Sequence, residues 1–429
     1  MTSPPKHSTR GGGQAPAELV IRNAHQVLTM TGPGVGLLQG GAVACRGGRV
    51  IAVCEHDRIE ESVTVDGSTR VVDAGGGVVT PGLVEPHSHP VFAGERSVEF
   101  GMKAEGRTYL EIHKSGGGIF STVRATRAAS VEELTRVAER NLTRLLRWGV
   151  TTCEAKSGYA LQLDGELRML RALAAAARQH PVEVIPTLLG AHAIPPEYAD
   201  ARQDYVTLVA EEMIPAAVEQ GLARFCDAYC EDGAFTSAEV ERMFGAARDH
   251  GLGLRLHAEQ FTHQGGAELA AHLGAASADH LEQVSPAGIA AMARAGTVAV
   301  LLPGAALACR CPWPPARELL DAGVEVALGT DLNPGSSMTS SLPLMMSLGA
   351  MQMGMSVEAC WRGVTVAAAR SLGLEQEIGR LAPGYRADAV VFDVPDYRYV
   401  PYHYGDNHAT MVIKGGQVVF TRPGVSSTP

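Results

Sequence analysis

The chain has 429 residues, 45% of them hydrophobic and 19% charged, which is typical of a globular protein with one large and one smaller domain. Acidic residues outnumber basic ones by 46 to 36, and no run of Lys or Arg is long enough to follow a phosphate backbone, which excludes nucleic acid or an anionic membrane as the main partner. No apolar run reaches the roughly 18 to 20 residues of a spanning helix, and the amino terminus lacks the apolar middle of a secretory signal, so we expect a cytoplasmic protein.

The first predicted elements form a tail and a small β unit. Residues 1–16 are rich in Pro, Gly and Ser, and we expect them to be a disordered tail. The runs 18–30, 41–54 and 62–74 have the composition of strands and are separated by Gly-rich turns, as an antiparallel unit requires.

Similar strand-like runs return at the far end of the chain. They cover 388–394 and 409–420, and the second contains a Gly-Gly hairpin signal. We therefore predict that residues 17–80 and 383–429 together form one small composite β-sandwich domain.

The middle of the chain, residues 81–382, alternates apolar β-rich runs with amphipathic helical stretches, as repeated βα units do. Helices are predicted over 131–147, 165–178 and 237–250, long enough for parallel crossovers. Eight strand runs close a (β/α)8 TIM-like barrel, and an open doubly wound sheet is the competing α/β architecture. The eight runs are 82–89, 149–156, 182–189, 223–229, 253–257, 276–280, 297–302 and 324–330.

The cysteines indicate a reducing compartment. They are scattered through a long chain without the framework of a small disulfide-rich scaffold, so we expect free thiols. The eight positions are Cys45, Cys54, Cys153, Cys226, Cys230, Cys309, Cys311 and Cys360.

Two histidines end the first predicted barrel strand. His87 and His89 are two residues apart, so on an extended strand both imidazoles leave the same face and can share one metal ion. For a lone pair with this spacing in an arbitrary loop, we would favour two ordinary histidines near a turn.

Further metal-ligand side chains end other predicted barrel strands: His257, His280 and Asp331. Barrel enzymes assemble their sites at this rim, so we expect these side chains to converge with the first two histidines. Nitrogen and carboxylate ligands with an open position suit zinc, ferrous iron or manganese, and such an ion makes hydroxide available at neutral pH. The pattern predicts hydrolysis, with Asp331 and His280 as candidates to move the proton. We favour one ion, and a carboxylated Lys156 bridging a second ion is the alternative.

Several motifs are specific enough to identify a family. They are TPGLVEPHSHP (80–90), RTYLEIHKSGGGIFSTVRATR (107–127), CEAKSGYAL (153–161), LGAHAIPPEY (189–198), LHAEQ (256–260), ADHLEQ (278–283) and GTDLNPGSS (329–337). Over nearly its whole length the chain resembles the imidazolonepropionase family of the amidohydrolase superfamily. The resemblance implies hydrolytic ring opening of 4-imidazolone-5-propanoate to N-formimidoyl-L-glutamate in histidine degradation, and it suggests a homodimer.

The resemblance also assigns site residues. It implies that His87, His89, His257 and Asp331 bind one ion, zinc or iron, and that His280 is an unligated active-site histidine. The residues that match substrate or product contacts in the family are Arg96, Tyr109, Tyr159, His192, Gln260, Asn333, Gly335 and Ser336.

These contacts suit a small ring that carries a propionate. Arg96 offers a planar fork of donors for the carboxylate, to which the hydroxyls of Tyr109 and Tyr159 can add, although without the resemblance we would interpret Arg96 as a salt-bridging residue and the tyrosines as packing residues. His192 is expected to donate to a ring nitrogen or to the carbonyl oxygen.

Gln260 can pair with the amide edge of the ring, because its side chain both donates and accepts, and we assign it a catalytic role. Glu259 is its rival, but strand alternation points Glu259 away from the side of His257.

Two other functions remain open. An aminohydrolase of the same superfamily, deaminating a small heterocycle, uses the same ion and ligands. A non-catalytic barrel that has lost its metal is the alternative from a different class.

Overall fold

The computed structural model describes residues 16–107 and 117–424. Eight parallel strands follow one another around a barrel-like sheet, and each overlaps one of the eight predicted runs, so the barrel prediction is confirmed. Their bounds are β6 Leu83–Glu85, β7 Val150–Lys156, β8 Glu183–Ala191, β9 Phe225–Cys230, β10 Gly253–Ala258, β11 Ser277–His280, β12 Val298–Leu301 and β13 Val326–Leu328.

Backbone contacts beyond β6 and β13 close the barrel. Ser88 and Leu332 form an isolated parallel bridge. The His89 amide donates to the Leu332 carbonyl at 3.0 Å, and the Asp331 amide donates to the His87 carbonyl at 3.1 Å. The two segments that carry predicted metal ligands are therefore held directly against each other.

Helices cover the outside of the barrel. Those predicted over 131–147, 165–178 and 237–250 are confirmed as Val131–Arg147, Leu163–Gln179 and Ser237–Asp249. The first and third begin with capping boxes, in which Ser or Thr and a Glu three residues later satisfy the free amides of the first turn. The other described α-helices are Ile59–Ser62, Ser97–Ala104, Ile119–Ala128, Arg202–Leu208, Ile214–Glu219, Gly266–Leu273, Pro286–Ala295, Pro303–Cys309, Ala316–Asp321, Leu342–Gln352, Val357–Gly363, Val366–Ser371 and Tyr399–Tyr402. Short 3-10 helices cover His56–Arg58 and Pro196–Tyr198, and a π-helical segment covers Val209–Met213.

A second, mixed sheet joins strands from both ends of the chain. Its hydrogen-bonded order is β16-β15-β14-β5-β1-β2-β3, with β4 beside β1. Buried residues from distant strands, including Leu19, Val43, Ala389 and Met411, share one hydrophobic cluster, as the facing layers of a sandwich do. Its strands are β1 Leu19–Leu28, β2 Leu37–Arg46, β3 Arg49–Glu55, β4 Arg70–Asp73, β5 Val78–Pro81, β14 Ala389–Phe392, β15 Ala409–Lys414 and β16 Gln417–Thr421.

Two of the predicted strand runs at the amino end are wrong in detail. The run 41–54 is divided between β2 and β3, because Gly47 and Gly48 have φ of 56° and 73° and turn the chain back on itself. The run 62–74 is extended in a strand only at Arg70–Asp73, and β5 was not predicted.

Three other expectations concern the whole chain. The predicted tail, residues 1–16, lies outside the described residues except for Pro16, which pairs with Thr64. All eight cysteines are described and are free thiols, as expected. Over the two described ranges, no helix has both the length and the apolar character needed to cross a bilayer.

Candidate active site

The five predicted ligand-type side chains converge at the carboxyl rim of the barrel. The ring centroid of His87 lies 5.4 Å from that of His89, 4.5 Å from that of His257 and 5.8 Å from that of His280. Asp331 approaches from the end of β13, with its Oδ1 3.5 Å from the Nε2 atoms of both His87 and His89. All five residues are buried.

The donor atoms fit a divalent metal ion. Ligand atoms of His87, His89 and Asp331 lie within 4.8 Å of one another, and so do those of His87, His257 and His280. The Nε2 atom of His87 is buried without a hydrogen-bond partner, which is the state expected of a ligand atom. Burial lowers the pKa of His87 and of His89 well below the ordinary value, so both imidazoles are neutral, as metal binding requires.

Behind His87 lies a carboxylate that the sequence analysis did not single out. Asp279 Oδ2 is 2.6 Å from His87 Nδ1 and 3.3 Å from Arg255 Nη2. The contact orients the imidazole so that its Nε2 faces the cluster, an arrangement found behind many metal-binding histidines. Arg255 is itself fixed, because its guanidinium also donates to the carbonyls of Ser371 and Pro86.

A second carboxylate lies behind His257. Asp227 Oδ2 is 3.0 Å from His257 Nδ1, and its Oδ1 accepts from the His257 amide at 3.2 Å. Asp227 Oδ2 also accepts from Lys156 Nζ at 2.7 Å, and Glu154 accepts from the same amine at 2.8 Å.

Lys156 is therefore an ion-pair partner inside the barrel. Burial alone would lower the pKa of Lys156, but Asp227 and Glu154 outweigh it and raise that pKa. A charged amine held by two carboxylates is poorly suited to carboxylation, which needs the neutral form, so this geometry favours one ion.

The backbone turns sharply where three barrel strands end. Glu259, His280 and Asp331 have φ of 56°, 80° and 50°, a region that residues other than glycine rarely adopt. At Glu259 this turn ends the alternation assumed from the sequence, and the Glu259 carboxylate accepts from the ring of His263 and the amide of Gly265.

Gln260 faces the other way, toward the histidines. Its Oε1 accepts a hydrogen bond from the Tyr229 hydroxyl at 2.8 Å, and the Tyr229 ring lies 5.7 Å from that of His257. Tyr229 is a site residue that the sequence analysis missed. It lies near the end of β9, and that position was the only available signal.

His280 is paired with a buried carboxylate. Glu282 Oε1 lies 3.7 Å from His280 Nδ1, and both Glu282 oxygens are buried without hydrogen-bond partners. Burial alone would lower the pKa of His280, but Glu282, Asp331 and Asp279 outweigh it and raise that pKa. His280 is thus held more basic than His87, His89 and His192, whose pKa values are lowered by burial.

The loop after Asp331 is folded around Asn333. The Asn333 side chain accepts from the amides of Gly335 and Ser336 and donates to the Asp331 carbonyl, while Ser336 Oγ donates to Asp331 Oδ2 at 3.2 Å. Burial raises the pKa of Asp331, and a bound cation would favour its ionised form instead. Asn333 and Ser336 therefore position this carboxylate, whatever they contribute to substrate binding.

Two cationic side chains from the helix Ser97–Ala104 and its amino end contact Gly335 in this loop. Arg96 donates from Nε to Glu99 at 2.9 Å, and a Cβ atom added to Gly335 would lie only 2.5 Å from Arg96 Nη1. Lys103, which the sequence analysis did not select, reaches the Gly335 carbonyl at 3.4 Å. Two cationic side chains, one of them ion-paired with Glu99, therefore lie beside the loop that carries Asp331.

Aromatic rings line another side of the site. His192 stacks 5.4 Å from His89, and Tyr159 lies 5.6 Å from the same ring. His192 Nδ1 contacts the Gly158 carbonyl at 2.9 Å, and burial lowers the pKa of His192 to about 3. A neutral ring that donates from Nδ1 offers Nε2 as an acceptor, not as the donor expected from the sequence. Tyr109 lies outside the described residues.

Comparisons with known proteins place this site in a family. The model of the Amidohydrolase family matches residues 114–420. An imidazolonepropionase from Myxococcus xanthus (strain DK1622) is 49% identical over 409 residues, covering 94% of this chain and 97% of that protein. An imidazolonepropionase from Geobacillus kaustophilus (strain HTA426) is 45% identical, with the same coverage of both proteins.

Solved structures share the fold at much lower identity. An adenosine deaminase from Xanthomonas campestris with bound zinc has a TM-score of 0.72 at 20% identity, over 97% of this chain and 96% of that one. A 5-methylcytosine deaminase from Klebsiella pneumoniae has a TM-score of 0.73 at 16% identity, over 95% and 98%. By family model and by sequence identity, the chain belongs to the amidohydrolase family and, within it, to the imidazolonepropionases.

Proposed function

We propose that this enzyme opens the ring of 4-imidazolone-5-propanoate with water, giving N-formimidoyl-L-glutamate, and that it uses zinc or iron. The observation that carries the proposal is the placement of two cationic side chains, Arg96, which is ion-paired with Glu99, and Lys103, at the loop that follows Asp331 of the buried His/Asp cluster. A ring with a propionate presents a hydrolysable carbonyl to the cluster and a carboxylate to the two cationic side chains. A neutral heterocycle has no anionic group for these side chains to bind.

The ligand assignment follows the predicted set, His87, His89, His257 and Asp331. Because His280 lies as close to His87 as a ligand would, its place outside the set rests on its pairing with Glu282. A divalent ion in this position supplies a water of lowered pKa and polarises a carbonyl oxygen.

The side chains then account for the remaining steps. Asp331 accepts the proton of the attacking water, and His280 stabilises the charge that develops on the carbonyl oxygen. Gln260 and the Nε2 atom of His192 hold the ring through its amide edge and a ring N–H. As the ring carbon–nitrogen bond breaks, the proton passes to the leaving nitrogen and the carbonyl carbon becomes a carboxylate.

The proposal is tested with freshly generated substrate. We expect loss of the ring absorbance, formation of formimidoylglutamate and no ammonia, with activity lost in chelator and restored by zinc or iron. Ammonia release would support the alternative, an aminohydrolase acting on a small heterocycle. A metal-loaded enzyme inert toward the imidazolone would refute the proposed substrate.

A variant separates His280 from its neighbours. His280→Ala is expected to retain the metal while turnover falls by about 100- to 1,000-fold, the range for removal of a group that stabilises a developing oxyanion. The control is His272→Ala, because His272 is exposed on the helix Gly266–Leu273, outside the site. Near-normal turnover in metal-loaded His280→Ala would contradict its role.

We further infer a cytoplasmic homodimer. The free thiols support a reducing compartment, and the dimer rests on resemblance to the family. Light scattering on the purified enzyme tests the dimer, and a mass of about 45.1 kDa would indicate a monomer.

A further inference from the structure

We propose that His403, Asp406 and His408 form a second metal site, separate from the active site, that binds a zinc-class transition-metal ion. These residues lie in the loop between the helix Tyr399–Tyr402 and β15. Ligand atoms of the three side chains lie within 4.8 Å of one another, the same spacing as in the active-site groups.

The local backbone brings the three donors together. The Asp406 amide donates to the His403 carbonyl at 3.2 Å, and the turn passes through Gly405, whose φ of 93° is favourable only for glycine. The rings of His403 and His408 lie 5.5 Å apart, compared with 5.4 Å for the pair His87 and His89.

Two features favour an ion in this loop. The Nε2 atom of His408 is buried and has no hydrogen-bond partner, although a water or ligand normally satisfies such an atom. Stacking of Tyr399 on His403, with ring centroids 5.0 Å apart, fixes the second imidazole. Two imidazoles and one carboxylate leave coordination positions open for water and suit zinc, nickel or copper better than magnesium or calcium.

The charges around the loop permit a cation. Asp406 is exposed, and within the ranges 16–107 and 117–424 it forms no ion pair with Lys or Arg. Arg422 donates to the Asn407 carbonyl and brings one opposing positive charge, while the Asp393 amide contacts the His408 carbonyl and brings a negative charge close by. If both imidazoles are neutral, Asp406, Asp393 and Arg422 together have a net charge of minus one.

The position of the loop indicates a structural role. Asn407, between two of the ligands, donates from Nδ2 to the Arg147 carbonyl at 2.7 Å, at the end of the barrel helix Val131–Arg147. An ion that fixes the loop therefore also fixes a contact between the mixed sheet and the barrel. Its removal is expected to lower thermal stability while leaving the active site occupied.

The test counts zinc on the full-length enzyme. Metal-free protein is titrated with zinc by calorimetry, and bound zinc is measured by atomic emission after gel filtration. We expect two equivalents per chain in the wild type, one in His408→Ala and one in His403→Ala, with both variants still active. The conservative variant Asp406→Asn, at an exposed position, is expected to lower the affinity for only the second zinc ion. Because this substitution is not expected to disturb folding, it separates loss of a ligand from a folding defect.

His272→Ala is the matched control and should keep both equivalents. A single equivalent in the wild type would overturn the proposal. So would two equivalents in both histidine variants, or loss of the second equivalent in the control, which would indicate nonspecific binding to surface histidines.

Discussion

Replacing Asp279 by Asn tests whether the carboxylate behind His87 controls metal affinity. In the unsubstituted enzyme, His87 Nδ1 lies 2.6 Å from Asp279 Oδ2. The amide of Asn has nearly the same shape as the carboxylate and keeps an oxygen that can accept from this nitrogen. It removes the negative charge that makes the imidazole a stronger donor to a metal. The change therefore separates orientation of the ring, which is retained, from its basicity, which falls.

The expected magnitude follows from the surrounding charges. Two buried cations, Lys156 and Arg255, face three buried carboxylates, Glu154, Asp227 and Asp279. The substitution changes this group from a net charge of minus one to zero, which makes the cluster less attractive to a divalent ion. Loss of such a partner lowers metal affinity by about 10- to 100-fold, or about 1.4–2.7 kcal/mol. The folding defect should stay below the ~3–5 kcal/mol of a fully unpaired buried charge, because Arg255 keeps its carbonyl acceptors.

A buried aspartate in the mixed sheet provides the control. Asp388 is 3% exposed and accepts from Lys414 Nζ and the Gly415 amide, both at 2.8 Å. Asp388→Asn is expected to lower the unfolding temperature without changing metal affinity, measured by competition with a chromophoric chelator. Equal metal affinity in Asp279→Asn and the wild type would refute the reasoning, and an equal loss in both variants would indicate a global effect.

Three further outcomes are expected. The hydrogen bond from Arg202 lowers the pKa of Glu239 to about 2, so the ionised carboxylate contributes stability above the unfolded value of 4.5, and this contribution is lost as the pH falls toward 2. Unfolding measured at several pH values should therefore show a smaller loss of stability in acid for Glu239→Gln than for the wild type. Gly335→Ala should displace the Arg96 guanidinium, since the new Cβ would lie 2.5 Å from Nη1. Loss of the proposed charged hydrogen bond between Arg96 and the substrate carboxylate, worth about 1.5–3 kcal/mol, would reduce kcat/KM about 10- to 100-fold at unchanged metal content. Chelation should lower the free energy of unfolding by about 2.7 kcal/mol relative to enzyme with free metal at 100 times Kd, and an unchanged melting curve would contradict this.

The barrel was predictable because its signal is local. Each strand is a short apolar run between helical stretches, and the strand count fixes the closed sheet. The small sheet was predicted less well because its boundaries depend on turns, such as the one through Gly47 and Gly48 that divides the run 41–54. β5 pairs with β1 on one side and with β14, about 310 residues away, on the other, so no nearby pattern reveals it.

The site could be predicted only where chemistry and strand ends coincide. The five ligand-type residues satisfy both conditions, whereas Asp279 contacts His87 across a sequence separation of 192 residues. A charged residue within a mainly apolar strand was a signal for Asp227 and Arg255, whereas the short strand of Asp279, Ser277–His280, is mostly polar and gave none. Since the cost of burying a charge is high unless it is paired, such residues predict an interior network, although sequence alone does not identify the partners.

The backbone is strained where three barrel strands end, and at His280 and Asp331 the strained residue carries a side chain of the candidate site. Glycine would adopt the φ values of Glu259, His280 and Asp331 without steric cost, whereas each of these residues pays about 1–3 kcal/mol. At Asp331 the opposing stabilisation is visible, because the Asn333 and Ser336 hydrogen bonds hold the turn. At His280 the neighbouring turn is held by the Leu281 amide, which donates to the Ala258 carbonyl at 3.1 Å. The barrel therefore bears local strain at the positions where an imidazole and a carboxylate must point inward, as expected of a catalytic rim and not of a structural one.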